Sequence, residues 1–412
     1  MASNRWTDAF LDSMSKQGDP LADDFLIRIM RDNEMANIRK IFAEMDSNNE
    51  IPPATTFPEL SDFFAATHNL PPDVDLDRIG RGEKVFQENA FTGALVLLTK
   101  SLPEGYAAPN LAIILNLSGN LRTHPYKRLL ATLQTVVNVS TFHGFQNGGR
   151  AVITAQKLRL LHAGIRHLTR HYRHDFEPRY GIPVNQEDML GTVMGFSYLV
   201  IEGMRTLDAG LSPQEEEDFL YLWRVFAQMM GIHPSDKPDS FEYIPDSVDD
   251  AKAFYAAYRL RHYVTADKNP DGVVLGHANL KMLKHFVPRL LRLFGFGALP
   301  KLYMLELMGP KQCSLIGIRR MRGYGLIKWI LFALVRLWRP IEHIRTKSHE
   351  RIGAMIFQEM IDKAYGGEVT FTIPLSIGDL KGMISSNGAH GSGGASKRNE
   401  TNPSTDRRDR RP

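Results

Sequence analysis

An all-α fold is predicted by three observations. Apolar residues return at helical spacing through most of the 412 residues. Ser, Asp, Asn and Pro stand where those runs begin. Strand-like alternation is nearly absent before VTFTIPLSI, where Val369, Phe371 and Ile373 alternate. A chain of this length can bury a large core, and it reads as a single large helical domain with extensions. The expected division is an N-terminal helical arm over residues 1–70, a main body over 71–384 and a disordered tail over 385–412, rich in Gly, Ser, Asn and Arg.

The arm's first clear helix has Asp19 as N-cap and Pro20 behind it, with Phe25, Ile29, Ile38, Ile41, Phe42 and Met45 at helical period. The polar DSNNEIPPATT ends it, and a short helix carrying Leu60, Phe63 and Phe64 follows Pro58. From Leu76 helix is almost continuous through DLDRIGRGEKVFQENAF, TGALVLLTKSL and LAIILNLSGNL. The apolar run at 94–98 falls far short of the roughly 20 residues that span a bilayer, so it is expected to be buried helix. Later, Asn185 is placed to cap QEDMLGTVMGF, and Ser212 with Glu215 forms a capping-box start for the helix closed by Gly231. Further helices are expected from Ser247 and near Asp271, the latter bent at Pro288.

Residues 124–175 read as two helices joined by a turn at Asn147, Gly148 and Gly149. Pro125 suits the first helical position, and Arg128 and Thr132, one turn apart, share a face. In the second helix, Leu158, Leu161, His162, Ile165 and Leu168 follow i, i+3, i+4 spacing, so an imidazole sits within an apolar stripe. Two readings of His162 stay open on these residues: a core histidine satisfied by a hydrogen bond, or an axial haem ligand with apolar neighbours against the macrocycle. On the second, Arg128 and Thr132 would hydrogen-bond dioxygen or a haem propionate.

Other chemistry finds less support. His167, His171 and His174 fall at i, i+4, i+7, but a cationic run at a helix C-terminus is favoured by the macrodipole without a metal. There is no Gly-rich phosphate fingerprint and no Gly-x-Ser-x-Gly elbow. The single cysteine, Cys313, excludes an intramolecular disulfide. The net charge of +4 resides mostly in the tail, which carries a net +3, so no nucleic-acid partner is implied. The opening MASNRWTDAFLDSMSKQ has no apolar run after a basic start, and a cytoplasmic location is expected. At 319–340, seven uninterrupted apolar residues, 329–335, lie between basic flanks. That segment is too short to span, and its readings are a core helix, a dimer face or a peripheral membrane contact.

Four stretches taken in order carry a resemblance: SLPEGYAAP with LNLSGNL; RLLATLQTV; GGRAVITAQKLRLLHAGIRH; and GIPVNQEDMLGTVMGFSYLVIEGMRTL with LWRVFAQMMGI. Together they resemble the superfamily of latex-clearing rubber oxygenases and MpaB-type oxygenases, over roughly residues 76–300. The resemblance implies an all-α, globin-reminiscent core binding haem b, with dioxygen cleaving carbon–carbon double bonds of a hydrophobic, isoprenoid-like substrate. It implies that His162, in RLLHAGIR, is the iron ligand lined by Leu158, Leu161 and Ile165, and that Arg128 and Thr132, in RLLAT, lie on the distal side. Arg289 and Arg292 are candidates to pair with the propionates. Two positions depart from the family: Ala131 stands where some relatives have a distal lysine, and no acidic residue lies between Glu104 and Asp175 to serve as their distal glutamate. Two functions are therefore carried forward, a haem-dependent oxygenase and a non-catalytic haem-binding or sensing protein.

Overall fold

Side-chain caps start the helices where the sequence places them. Asp19 accepts from the Ala22 N–H at 3.3 Å ahead of Pro20, Asn185 accepts from Asp188 N–H at 2.9 Å, and Ser212 and Glu215 close a reciprocal capping box. The computed structural model describes residues 5–32, 45, 47–48, 58–117, 125–208, 210–287, 289–293, 296–321 and 323–325.

The helices are α1 (Asp8–Ser15), α2 (Pro20–Arg31), α3 (Pro58–His68), α4 (Leu76–Glu88), α5 (Ala90–Val96), α6 (Leu102–Gly105) and α7 (Pro109–Asn116). The central hairpin is α8 (Pro125–Ser140) and α9 (Ala151–Tyr172). There follow α10 (Glu177–Tyr180), α11 (Gln186–Phe196), α12 (Tyr198–Thr206), α13 (Pro213–Met229) and α14 (Val248–His262). The last are α15 (Pro270–Phe286), α16 (Arg289–Leu293), α17 (Leu299–Leu307) and α18 (Gly309–Leu315). No strand occurs among the described residues, and the molecule is a single, largely helical domain. VTFTIPLSI, the 385–412 tail and all of 326–340 lie outside the described residues.

The main core gathers around α13, whose Trp223 is fully buried, and α4, which lies against it so closely that a Cβ on Gly82 would sit 2.4 Å from the Asp218 carbonyl. A second cluster packs α2 and α3 on α9 through Phe25, Ile29, Phe63, Phe64, Ile153 and Leu160. A third joins α7, α15, α17 and α18 around Leu275, Met304 and Cys313, whose thiol is pushed up to about 12 by burial.

The stretch at 94–98 is helix and largely buried, as expected, passing into a π turn over Leu97–Ser101. One expectation needs correction: no single helix is bent at Pro288, because α15 ends at Phe286 and Val287 is extended, the geometry forced on a residue preceding proline, so a separate helix begins at Arg289.

Candidate functional site

The α8–α9 turn is fixed from both sides. Asn48 donates to the carbonyls of Gly144 and Gln146, both at 2.8 Å, while its side-chain oxygen accepts from the N–H groups of Val152 and Ile153 in the first turn of α9. Glu83 of α4 accepts from His143 and Gly144 N–H, each at 3.0 Å. Gly148 takes φ +76°, a conformation that glycine adopts without steric cost.

Helix α9 is then clamped along its length. Arg159 pairs with Asp19 through two bonds, 2.7 and 2.9 Å; Arg166 pairs with Asp23 at 2.7 Å; Gln156 donates to Thr67 and the Phe64 carbonyl; and Lys157 donates to the Met45 carbonyl. Burial pushes the Asp19 carboxyl up, but the charge and hydrogen bonds of Arg159, with the charge of Arg166 and the Ala22 N–H, together outweigh it and hold the group below its ordinary value. At Asp23 burial prevails over Arg166 and the group is raised.

Against these buried residues one face stands out. Leu158, Leu161, His162 and Ile165 are each only half-buried, whereas Arg159, Leu160, Ala163, Arg166 and Leu168 are buried. On α8, Ala131 and Thr132 are likewise half-buried while residues 133–137 are buried. Asn138 donates to the Thr154 hydroxyl at 3.0 Å and ties α8 to α9. At a rise of about 1.5 Å per residue, Thr132 lies about 9 Å along α8 from that bond and His162 about 12 Å along α9. Both lie on the side of that bond away from the joining turn. Arg128 is one turn further along α8, and its side chain is outside the described structure.

The other candidates are placed elsewhere. Arg289 is exposed and Arg292 half-buried on α16, whose neighbour is the 3₁₀ turn Phe296–Ala298. His171 and His174 are exposed, burial and the charge of His171 lower His167, and no three His, Cys, Asp or Glu side chains converge on a metal position among the described residues. A small apolar void lies on the core side of α8, lined by Leu133 and Val136 with Phe86, Ala94, Leu97 and Phe196.

Sequence reasoning missed a buried charge network. Lys100, in the π turn, donates to Glu202 at 2.8 Å, Glu104 at 3.3 Å and the Leu307 carbonyl at 2.9 Å, and Arg259 binds both carboxylates. Burial would raise Glu202, but Lys100 and Arg259 outweigh it and hold it at about 2. The available signal was Lys100 and Glu104 at i, i+4 inside an apolar run; their partners lie about a hundred residues or more away. A second cluster surrounds Asp188, which accepts from Asn110, Asn185 and Tyr258. Burial pushes it up to about 7, with the neighbouring Glu187 adding to the shift and His262 opposing it.

This helical architecture is that of a solved structure. It matches the structure of latex clearing protein LCP in the closed state with a TM-score of 0.69, covering 87% of this chain and 94% of that chain at 17% identity. The rubber oxygenase of Streptomyces sp. (strain K30) is 23% identical over 238 residues, 57% of this chain and 56% of that protein, so the chain spans about half the length of that curated relative. The family described as ER-bound oxygenase mpaB/B'/rubber oxygenase, catalytic domain, matches residues 88–337. The chain belongs to that family. The family's description is that of an oxygenase catalytic domain.

Proposed function

We propose that the protein is a haem b-dependent oxygenase that uses dioxygen to oxidise or cleave a carbon–carbon double bond in a lipophilic, isoprenoid-like substrate. The half-buried face of α9 carries this reading. Three aliphatic side chains stay half in water on α9 with an imidazole among them, while Arg159, Leu160, Ala163 and Arg166 interleaved with them are buried. A flat apolar macrocycle would take that surface out of water, at about 25 cal/mol per Å² covered, and its iron takes a neutral imidazole as ligand. The residues present therefore fit the group.

Haem b, when bound, supplies dioxygen activation. His162 would hold it through one ring nitrogen, and Leu158, Leu161 and Ile165 would exclude water beside it. The Thr132 hydroxyl and the Arg128 guanidinium would donate hydrogen bonds on the distal side. Arg289, exposed, and Arg292, half-buried, on α16 are the candidates to pair with the propionates. Ala131 has no donor atom, so the ferric protein should be high-spin and bind cyanide or imidazole readily.

The test is His162→Ala, which should lose haem absorbance while its helical circular dichroism persists; full haem occupancy in that variant overturns the ligand assignment. Arg128→Ala should cut turnover of an isoprenoid under oxygen far more than haem content. A wild-type protein that holds haem but never consumes oxygen with any alkene would instead be the binding or sensing protein.

A further inference from the structure

Most exposed large apolar side chains among the described residues are scattered singly, as at Ile27, Phe91 and Leu260, which is ordinary for a protein surface. The stretch from the end of α15 through α16 differs. Leu290 is 66% exposed and Leu293 83%, and their i, i+3 spacing places them on one side of α16; Phe286 and Phe296, at 38% and 37%, flank them.

Charge accompanies this apolar surface. On α15 the exposed His277, Lys281, Lys284 and His285 fall at i, i+4, i+7 and i+8, a single face, and Arg289 is exposed at the start of α16. No Asp or Glu occurs between Asp271 and Glu306. Exposed leucines beside cations, with no acid in the same stretch, match a surface that is apolar in depth and anionic at its boundary. A second copy of the chain fits less well, since a two-fold contact would set this cationic face against itself.

We propose that the exposed side chains of α15 and α16 dock the protein on an anionic lipid membrane, with Leu290 and Leu293 entering the acyl boundary and Lys281 and Lys284 meeting the headgroups. This docking places the contact on α15 and α16, ahead of the basic aromatic segment at 319–340.

The test is flotation of the full-length protein with vesicles of phosphatidylcholine alone or mixed with phosphatidylserine, at low and high salt. Binding should require phosphatidylserine and weaken as salt rises, because screening shortens the reach of surface charge to about 8 Å at physiological ionic strength. Leu290→Asp with Leu293→Asp should lower vesicle affinity at least about tenfold. Lys281→Glu with Lys284→Glu should lower it at least about fivefold, on the order of the effect of one charge near such a surface, and blunt the salt dependence. Retained circular dichroism and haem content would show that both variants fold. The proposal is overturned by absence of binding to phosphatidylserine vesicles at low salt, by unchanged binding of the leucine variant, or by sedimentation showing a dimer that this variant dissociates.

Discussion

Replacing Asp19 by Asn isolates the ion pair that holds α9 against the arm. Asparagine keeps a side-chain oxygen for the Ala22 N–H, so the cap of α2 survives and only the charge is lost. Asp19 is 4% exposed and Arg159 6%, and the two are joined by bonds of 2.7 and 2.9 Å. Removing one partner of such a pair leaves a guanidinium buried without its counter-charge, at a cost of about 3–5 kcal/mol. With a urea m-value of about 3 kcal/mol/M, the unfolding midpoint at pH 7 should fall by about 1 M or more. The pH dependence follows from the lowered carboxyl of Asp19. A carboxyl whose folded pKa lies below its unfolded one stabilises fully above the unfolded value and loses that contribution as pH falls through the folded value. The gap between wild type and variant should thus be complete at neutral pH and close in acid, below the ordinary carboxylate value of 3.8. Urea titrations followed by circular dichroism at both pH values measure it. Equal midpoints at pH 7, or a gap that persists undiminished in acid, would refute the argument.

Asp188, pushed up to about 7, has the opposite sign: the folded protein holds its proton while the unfolded chain has released it, so this group's contribution to stability should decline as pH rises from about 4 to 7, by up to about 4 kcal/mol. Asp188→Asn should flatten that slope in urea titrations across the window; an unchanged slope would assign it to other groups. Gly82→Ala should lower the melting temperature through an overpacking cost of about 1–3 kcal/mol, because its Cβ would meet the Asp218 carbonyl at 2.4 Å and Leu222 at 2.9 Å. Gly80→Ala, two residues earlier with nothing within 4 Å, should be neutral or stabilising, and equal melting shifts for the two variants would show that α4 and α13 are not in such close contact.

Local order was legible in the sequence because its causes are local. Asp19, Asn185 and Ser212 cap the helices they precede, since a cap needs only a side-chain oxygen within three residues of an unpaired N–H. The periodicity of residues 158–165 put Leu158, Leu161, His162 and Ile165 on one face, because 3.6 residues per turn fixes which side chains share a side. Tertiary structure alone decided that this face is half-buried while Arg159 and Arg166, on the same helix, are buried against Asp19 and Asp23. Likewise, Lys100 and Glu104 gave no sign of Arg259 or Glu202, and the apolar spacing of Leu290 and Leu293 suits a core helix as well as an exposed one. Spacing determines which residues lie together on a helix. What covers them depends on packing between segments distant in sequence, which local periodicity does not encode.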